Sequence, residues 1–355
     1  MADVRPFRAV RYTRPSADVT APPYDVIDEA ACETLRARDT HNVVQLTAEP
    51  DESVAAERLA LWLADGTLVR DEDPAVWALE QDYVGPDGVA RRRDGIVASL
   101  RVEPYATGVV LPHERTHAAA LEGRLRLLRA TRTQLEPIFL LYEGPAPTRR
   151  PQRDPEIDVE GTRLWRLAGD RTVEPFFAAR QLLIADGHHR YEAALAFATE
   201  DGADRMLVVL VSTEDPGLEV FPTHRLFTGR PDIDPPGDSV VTLTEALDAL
   251  DREPGGSPVA VFLDAAGARL VRGETGELDV ELVDRFGHDG IAYTPDRDEA
   301  IRRVEAGAAD CAFLVRAPRV SDVFERARNG QTMPQKATYF YPKLLSGLLF
   351  HPVDP

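Results

Sequence analysis

One stretch limits the possible folds more than any other: Leu-Leu-Ile-Ala-Asp-Gly-His-His-Arg-Tyr-Glu-Ala-Ala at 182–194. Residues 182–185 form an apolar run of buried-strand length. Asp186-Gly187 breaks it, and 191–198 resumes at helical spacing, with Ala193, Ala194, Leu195 and Phe197 able to pack inward. The pattern predicts strand, tight turn, helix, with His188, His189 and Arg190 at the helix start. A helix start carries N–H groups without intrahelical partners and a partial positive charge. A guanidinium and two imidazoles beside it suit the turn to an anion, phosphate above all. The plainer reading makes Asp186 an N-cap and leaves the histidines exposed. Adjacent histidines beside an arginine repel one another once protonated, so a fold has little reason to choose them.

The 355 residues predict two or three domains. The proline-rich stretches GPAPTRRPQRDP at 144–155 and GRPDIDPPGD at 229–238 suggest divisions into 1–145, 146–230 and 231–355. No segment offers the roughly 18 apolar residues of a membrane span, and MADVRPFRAVRY lacks the apolar run of a signal peptide. Cys32 and Cys311 are too few for a disulfide framework. These features predict a cytoplasmic protein. A net charge of −19 argues against nucleic acid as a partner but leaves room for a local basic pocket. The expected partner is a small molecule; the sequence carries no signal for oligomeric state.

In chain order, strands are expected within 1–12, at 42–47 (NVVQLT), 76–83, 95–102, 137–142, 162–167 and 206–212. Helices are expected from Asp28 through Leu35 and at 54–65, 122–132, 173–180, 243–250 and 320–328. A hairpin at 259–271 and a strand–helix–strand unit at 293–315 complete a mixed α/β fold, α+β in character. There is no internal repeat, no Walker A motif and no G-x-G-x-x-G.

Four further stretches carry candidate chemistry. LPHERTH at 111–117 matches H-E-x-x-H in His113, Glu114 and His117, with Glu136 a conceivable third zinc ligand. Pro112 puts His113 in a loop or first helical turn, which favours Glu114 as a general base or metal-binding carboxylate instead. Thr116 shares that loop. In APPYDVI, the rigid Pro22-Pro23 precedes Tyr24 and Asp25, and Asp25 could equally face a site or serve a turn. FPTHRL holds a second His-Arg pair, His224 and Arg225. Only two of the 41 basic residues are lysine, Lys336 and Lys343, both in MPQKATYFYPK. Their retention marks positions where a compact ammonium serves better than a guanidinium.

The set VRPFRAV, APPYDVI, LPHERT, ADGHHRYEAA, FPTHRL and MPQKATYFYPK strongly resembles the domain-of-unknown-function family 1015 of bacteria and archaea, in order from residue 4 to 349. A typical member has Ser where this chain has Ala337, and His117 lies outside the family pattern. ADGHHRYEAA is also similar to the phosphate-binding motif of the ParB and sulfiredoxin superfamily, which includes CTP-hydrolysing partition proteins, ATP-using sulfiredoxins and free-serine kinases. That resemblance implies a ParB/sulfiredoxin-like nucleotide site embedded between N- and C-terminal α/β segments, with Gly187, His188, His189 and Arg190 on a phosphate chain. The family's occurrence beside phosphoserine-synthesis genes implies serine or phosphoserine as substrate.

The resulting expectation is a phosphotransferase: ATP or ADP held at 186–190, Mg²⁺ on Asp186 or Asp25, and Glu114 deprotonating a hydroxyl. His224, Arg225, Lys336 and Lys343 would neutralise the transferring group. The alternatives are a phosphatase with His188 or His189 as nucleophile or acid, and a nucleotide-binding switch without turnover.

Overall fold

Strands that read as unbroken apolar runs are those a sheet buries on both faces. The structure, a computed structural model, describes residues 1–116, 118–237, 242–253 and 257–353. Among these the run MLVVLV lies inside a nine-stranded mixed sheet. Its strands are β1 Val4–Arg5, β2 Ala75–Val84, β3 Ala90–Arg101, β4 Val110–Leu111, β5 Ile138–Tyr142, β6 Ile157–Val159, β7 Thr162–Ala168, β8 Leu182–Asp186 and β9 Arg205–Ser212. Their order is β4–β8–β5–β9–β3–β2–β7–β6, with β1 paired to β3. The pairs β4/β8 and β5/β9 are parallel. A five-stranded antiparallel sheet, β12–β11–β14–β10–β13, is built from β10 His224–Phe227, β11 Val259–Asp264, β12 Gly267–Arg272, β13 Ile291–Thr294 and β14 Cys311–Leu314. The helices are α1 Glu29–Arg38, α2 Val44–Thr47, α3 Glu52–Ala64, α4 Ala118–Thr131, α5 Val173–Phe177, α6 His188–Asp201, α7 Leu243–Arg252, α8 Asp279–Asp284, α9 Arg297–Glu305 and α10 Val320–Arg328.

The fold is therefore mixed α/β. Strands on both sides of residue 145 share the large sheet, and β10 passes to the smaller one. Alternate residues of β9 face different partners. Met206, Val208 and Leu210 pack toward Tyr191, Ala194 and Phe197 of α6 and Leu125 and Leu128 of α4. Leu207, Val209 and Val211 belong to the core shared with Phe262 and Phe313 of the second sheet. The end of β8 thus emerges between a helical layer and the C-terminal part of the chain. No helix among the described residues is long and apolar enough to cross a membrane.

Two local expectations need correction. NVVQLT is not a strand: it holds the single turn α2, whose Val44 N–H is accepted by Asn42 Oδ1 at 3.1 Å. Val43, Val44 and Leu46 are fully buried beside Leu35, Leu59 and Trp62, so tertiary burial overrides β propensity. Helix α6 starts at His188, three residues before the periodicity resumes, because the turn closes in the single residue Gly187.

Candidate functional site

The site begins at that glycine. Gly187 has φ +97°, and a Cβ there would stand 2.6 Å from Ile138 Cγ2 on the neighbouring strand. Only glycine allows β8 to turn into α6 so abruptly. Glycine at the N-cap offers no capping side chain. Asp186, the last residue of β8, instead binds two cations: Lys343 Nζ at 2.5 Å and Arg190 Nη2 at 2.8 Å. Arg190 also donates to the Pro137 carbonyl at 2.5 Å. Burial pushes the Asp186 carboxyl toward protonation, but Lys343 and Arg190 outweigh it and hold its pKa below the ordinary range. Burial likewise opposes charge on Lys343, and Asp186 reverses the balance.

Two histidines of this region, His113 and His188, brace the loop at 111–116. His113 Nδ1 donates to the Ile184 carbonyl at 2.6 Å, and its Nε2 accepts from Thr338 Oγ1 at 3.0 Å. The His113 backbone N–H donates to His188 Nε2 at 3.2 Å, and the His113 carbonyl accepts from Met333 N–H at 2.6 Å. Burial depresses the pKa of both imidazoles, His188 most strongly. His188 is therefore neutral with its Nε2 engaged, unlike the cationic or nucleophilic group expected from sequence. Thr116 ties the same loop to α6 through Glu192 Oε2 at 2.6 Å. Glu136 anchors the Tyr24 turn, accepting from Tyr24 N–H at 3.1 Å and Ser346 Oγ at 2.8 Å, while Arg124 lies 3.9 Å over the Tyr24 ring.

These segments enclose a cavity of about 390 Å³. Tyr24, Asp25, Glu114, Asp186, Gly187, His188, His189, Arg190, Lys336 and Lys343 all line it. A second lobe of about 520 Å³ shares Glu114, Arg115, His189 and Lys336 with the first. His113 lies beneath the wall rather than on it. His224 and Arg225 do not line either lobe; both are fully buried on β10. Thr223, Tyr293, Pro295, Thr338 and Tyr339 also line the first lobe. Thr338 and Tyr339 lie in a stretch the sequence marked, whereas Tyr293 and Pro295 look like ordinary strand-end residues and carry no signal.

Metal chemistry fits this site poorly at two expected positions. Both ring nitrogens of His113 are taken, Glu136 is committed, and His117 lies outside the described residues. No cluster of three or more His, Cys, Asp or Glu side chains among the described residues could hold a metal ion. Asp186 does not fit Mg²⁺ as it stands, since each oxygen meets a cation. Asp25 does offer an exposed carboxylate at the mouth.

A family model described as "Protein of unknown function (DUF1015)" matches residues 4–249. The chain belongs to this family. MPQKATYFYPK lies beyond the matched span, yet it delivers Lys336 and Lys343 to the same cavity. No curated protein matches the chain. Solved structures similar to it include a conserved hypothetical protein from Pyrococcus furiosus, 16% identical over 69% of this chain and 92% of that one, with TM-score 0.41. A free serine kinase in complex with AMP is 17% identical over 65% and 83%, with TM-score 0.42. SbnI with C-terminal truncation from Staphylococcus aureus is 13% identical over 69% and 84%, with TM-score 0.42. Values this low record a loose likeness of fold and nothing more.

Proposed function

We propose that this chain is a phosphoryl-transfer enzyme that uses ATP or ADP and acts on a small hydroxyl-bearing metabolite, L-serine or phosphoserine first. The observation that carries this reading is the charge around the α6 N-terminus. Lys343 and Arg190 converge on the single carboxylate of Asp186 beside a helix end that itself attracts anions, and Arg115 and Lys336 line the same cavity together with Asp25 and Glu114. Phosphoryl transfer asks for positioning and charge neutralisation more than covalent chemistry. The first turn of α6 would take the phosphates, with Lys336 at the mouth closing over them. Glu114, 35% exposed and lining both lobes, would orient and deprotonate the acceptor hydroxyl. Asp25 would hold Mg²⁺ together with the nucleotide's own phosphates, and the ion would neutralise phosphate charge. His189 reaches both lobes and would stabilise the group in flight. Engagement of His188 Nε2 disfavours a phosphatase built on that nucleophile.

A phosphate-release and nucleotide-conversion assay with Mg²⁺ tests this: ATP or ADP with L-serine, and phosphoserine alone, beside His189→Ala and Glu114→Ala. Nucleotide consumed only with the acceptor, and in neither variant, is the expected result. Phosphate released from phosphoserine without nucleotide makes the protein a phosphatase. Nucleotide binding without turnover makes it a switch.

A further inference from the structure

The second lobe is walled by Glu114, Arg115 and His189 on one side and by Glu281, Asp284 and residues 332–336 on the other. Its two distal carboxylates differ. Glu281 is committed: Arg326 meets its oxygens at 2.8 and 2.9 Å, and the Leu278 N–H donates to one of them at 2.8 Å. Asp284 is not. Its Oδ1 is buried on the side of Arg225 and has no hydrogen-bond partner among the described residues, so what the lobe reaches is the rest of the carboxylate. Arg225 Nη2 stops 3.8 Å away, beyond hydrogen-bond reach.

Arg225 is fully buried, donates to the Thr223 carbonyl at 2.5 Å, and lies 5.7 Å from the Tyr293 ring centroid. Its Nε and Nη2 also lack hydrogen-bond partners among the described residues. Burial pushes the Asp284 carboxyl up, and Arg225 opposes that shift. A guanidinium held at this distance favours the ionised carboxylate without filling its acceptor sites. About a fifth of the Asp284 side chain remains open, at 22%. The part of the carboxylate that lies open on the cavity wall is an acceptor suited to a cationic donor from the ligand, which would also favour its ionised form.

From this arrangement we infer that the second lobe is the acceptor subsite and that Asp284 binds a protonated amine on the substrate. The metabolite then carries an ammonium group as well as the hydroxyl presented to Glu114. This rests on the phosphoryl-transfer reading of the adjoining lobe. Arg225, which touches no ligand, is a positioning residue for Asp284, and the FPTHRL motif gains a role that does not require it to line the cavity.

The test is calorimetric titration of the whole protein, with and without ADP, using matched pairs in which a hydroxyl replaces the amine. The pairs are L-serine and glycerate, homoserine and 2,4-dihydroxybutyrate, ethanolamine and ethylene glycol. At least one amine should bind roughly 10- to 100-fold tighter than its partner, the range of a charged hydrogen bond. Asp284→Asn, its fold checked by its melting curve, should erase that preference. If no amine binds better than its counterpart in the wild type, the inference is overturned whatever the variant does. A preference that survives Asp284→Asn overturns it equally. ADP binding and turnover without amine preference would sink the subsite and leave the phosphoryl-transfer reading standing. Asp284-dependent amine binding with no affinity for nucleotide would do the reverse.

Discussion

At the scale of single residues, the protein keeps several histidines neutral. His113, His188 and His224 are buried, and burial lowers the pKa of each, His224 to about 3. A histidine with a depressed folded pKa leaves the unfolded chain as the better proton binder. Its contribution to stability is full above the ordinary value of 6.5 and is lost as pH falls toward the folded value. For His224 that loss amounts to about 2 kcal/mol by pH 5. His224→Gln keeps an acceptor for the Val315 N–H, which His224 Nδ1 takes at 3.2 Å, and removes the titration. Urea unfolding at pH 7 and pH 5 should show the wild type losing about 2 kcal/mol more than the variant; equal slopes would refute the assignment. Which histidines are buried was not legible in the sequence. His224 and His189 each stand beside an arginine, and only the sheet decides that one is core and the other lines a cavity.

At the scale of elements, the β8–Gly187–α6 turn was legible almost residue by residue, because an apolar run, a glycine and a 3.6-residue period are local signals. Gly187→Ala should destabilise the protein by about 1–3 kcal/mol, the penalty for a strained backbone at positive φ, and should also weaken ADP binding, since Ile138 must yield. Unchanged ADP affinity in that variant would separate the turn from the proposed site. The α2 turn at 44–47 was misread for the opposite reason: its conformation is set by burial against α1 and α3, which no window of six residues records. The pairing of β2 with β7, and of β3 with β1 and β9, was likewise invisible, since register between distant strands has no local signature.

At the scale of the molecule, the C-terminal motif is held in place from far away in sequence. Arg93 on β3 is fully buried, donates to the Tyr341 carbonyl at 3.1 Å and the Pro342 carbonyl at 2.9 Å, and lies 4.5 Å over Phe139. Lys343 follows directly. Arg93→Met should lower stability by about 3 kcal/mol, through lost charged hydrogen bonds and an orphaned Gln81. It should also weaken ADP binding roughly tenfold or more by displacing Lys343, with Arg93→Lys restoring part of both; calorimetry on the three proteins would decide it. The motif residues were readable, but their meeting in one cavity was not, because it depends on this long-range brace.

The Asp186–Lys343 pair spans 157 residues. On a ribosome adding about 5–20 residues per second, the carboxylate precedes its ammonium by roughly ten to thirty seconds. During that interval the nascent chain holds the residues of β8 and α6 but only part of the site's charge balance, so the proposed activity is one the protein acquires only after the MPQKATYFYPK segment has been made.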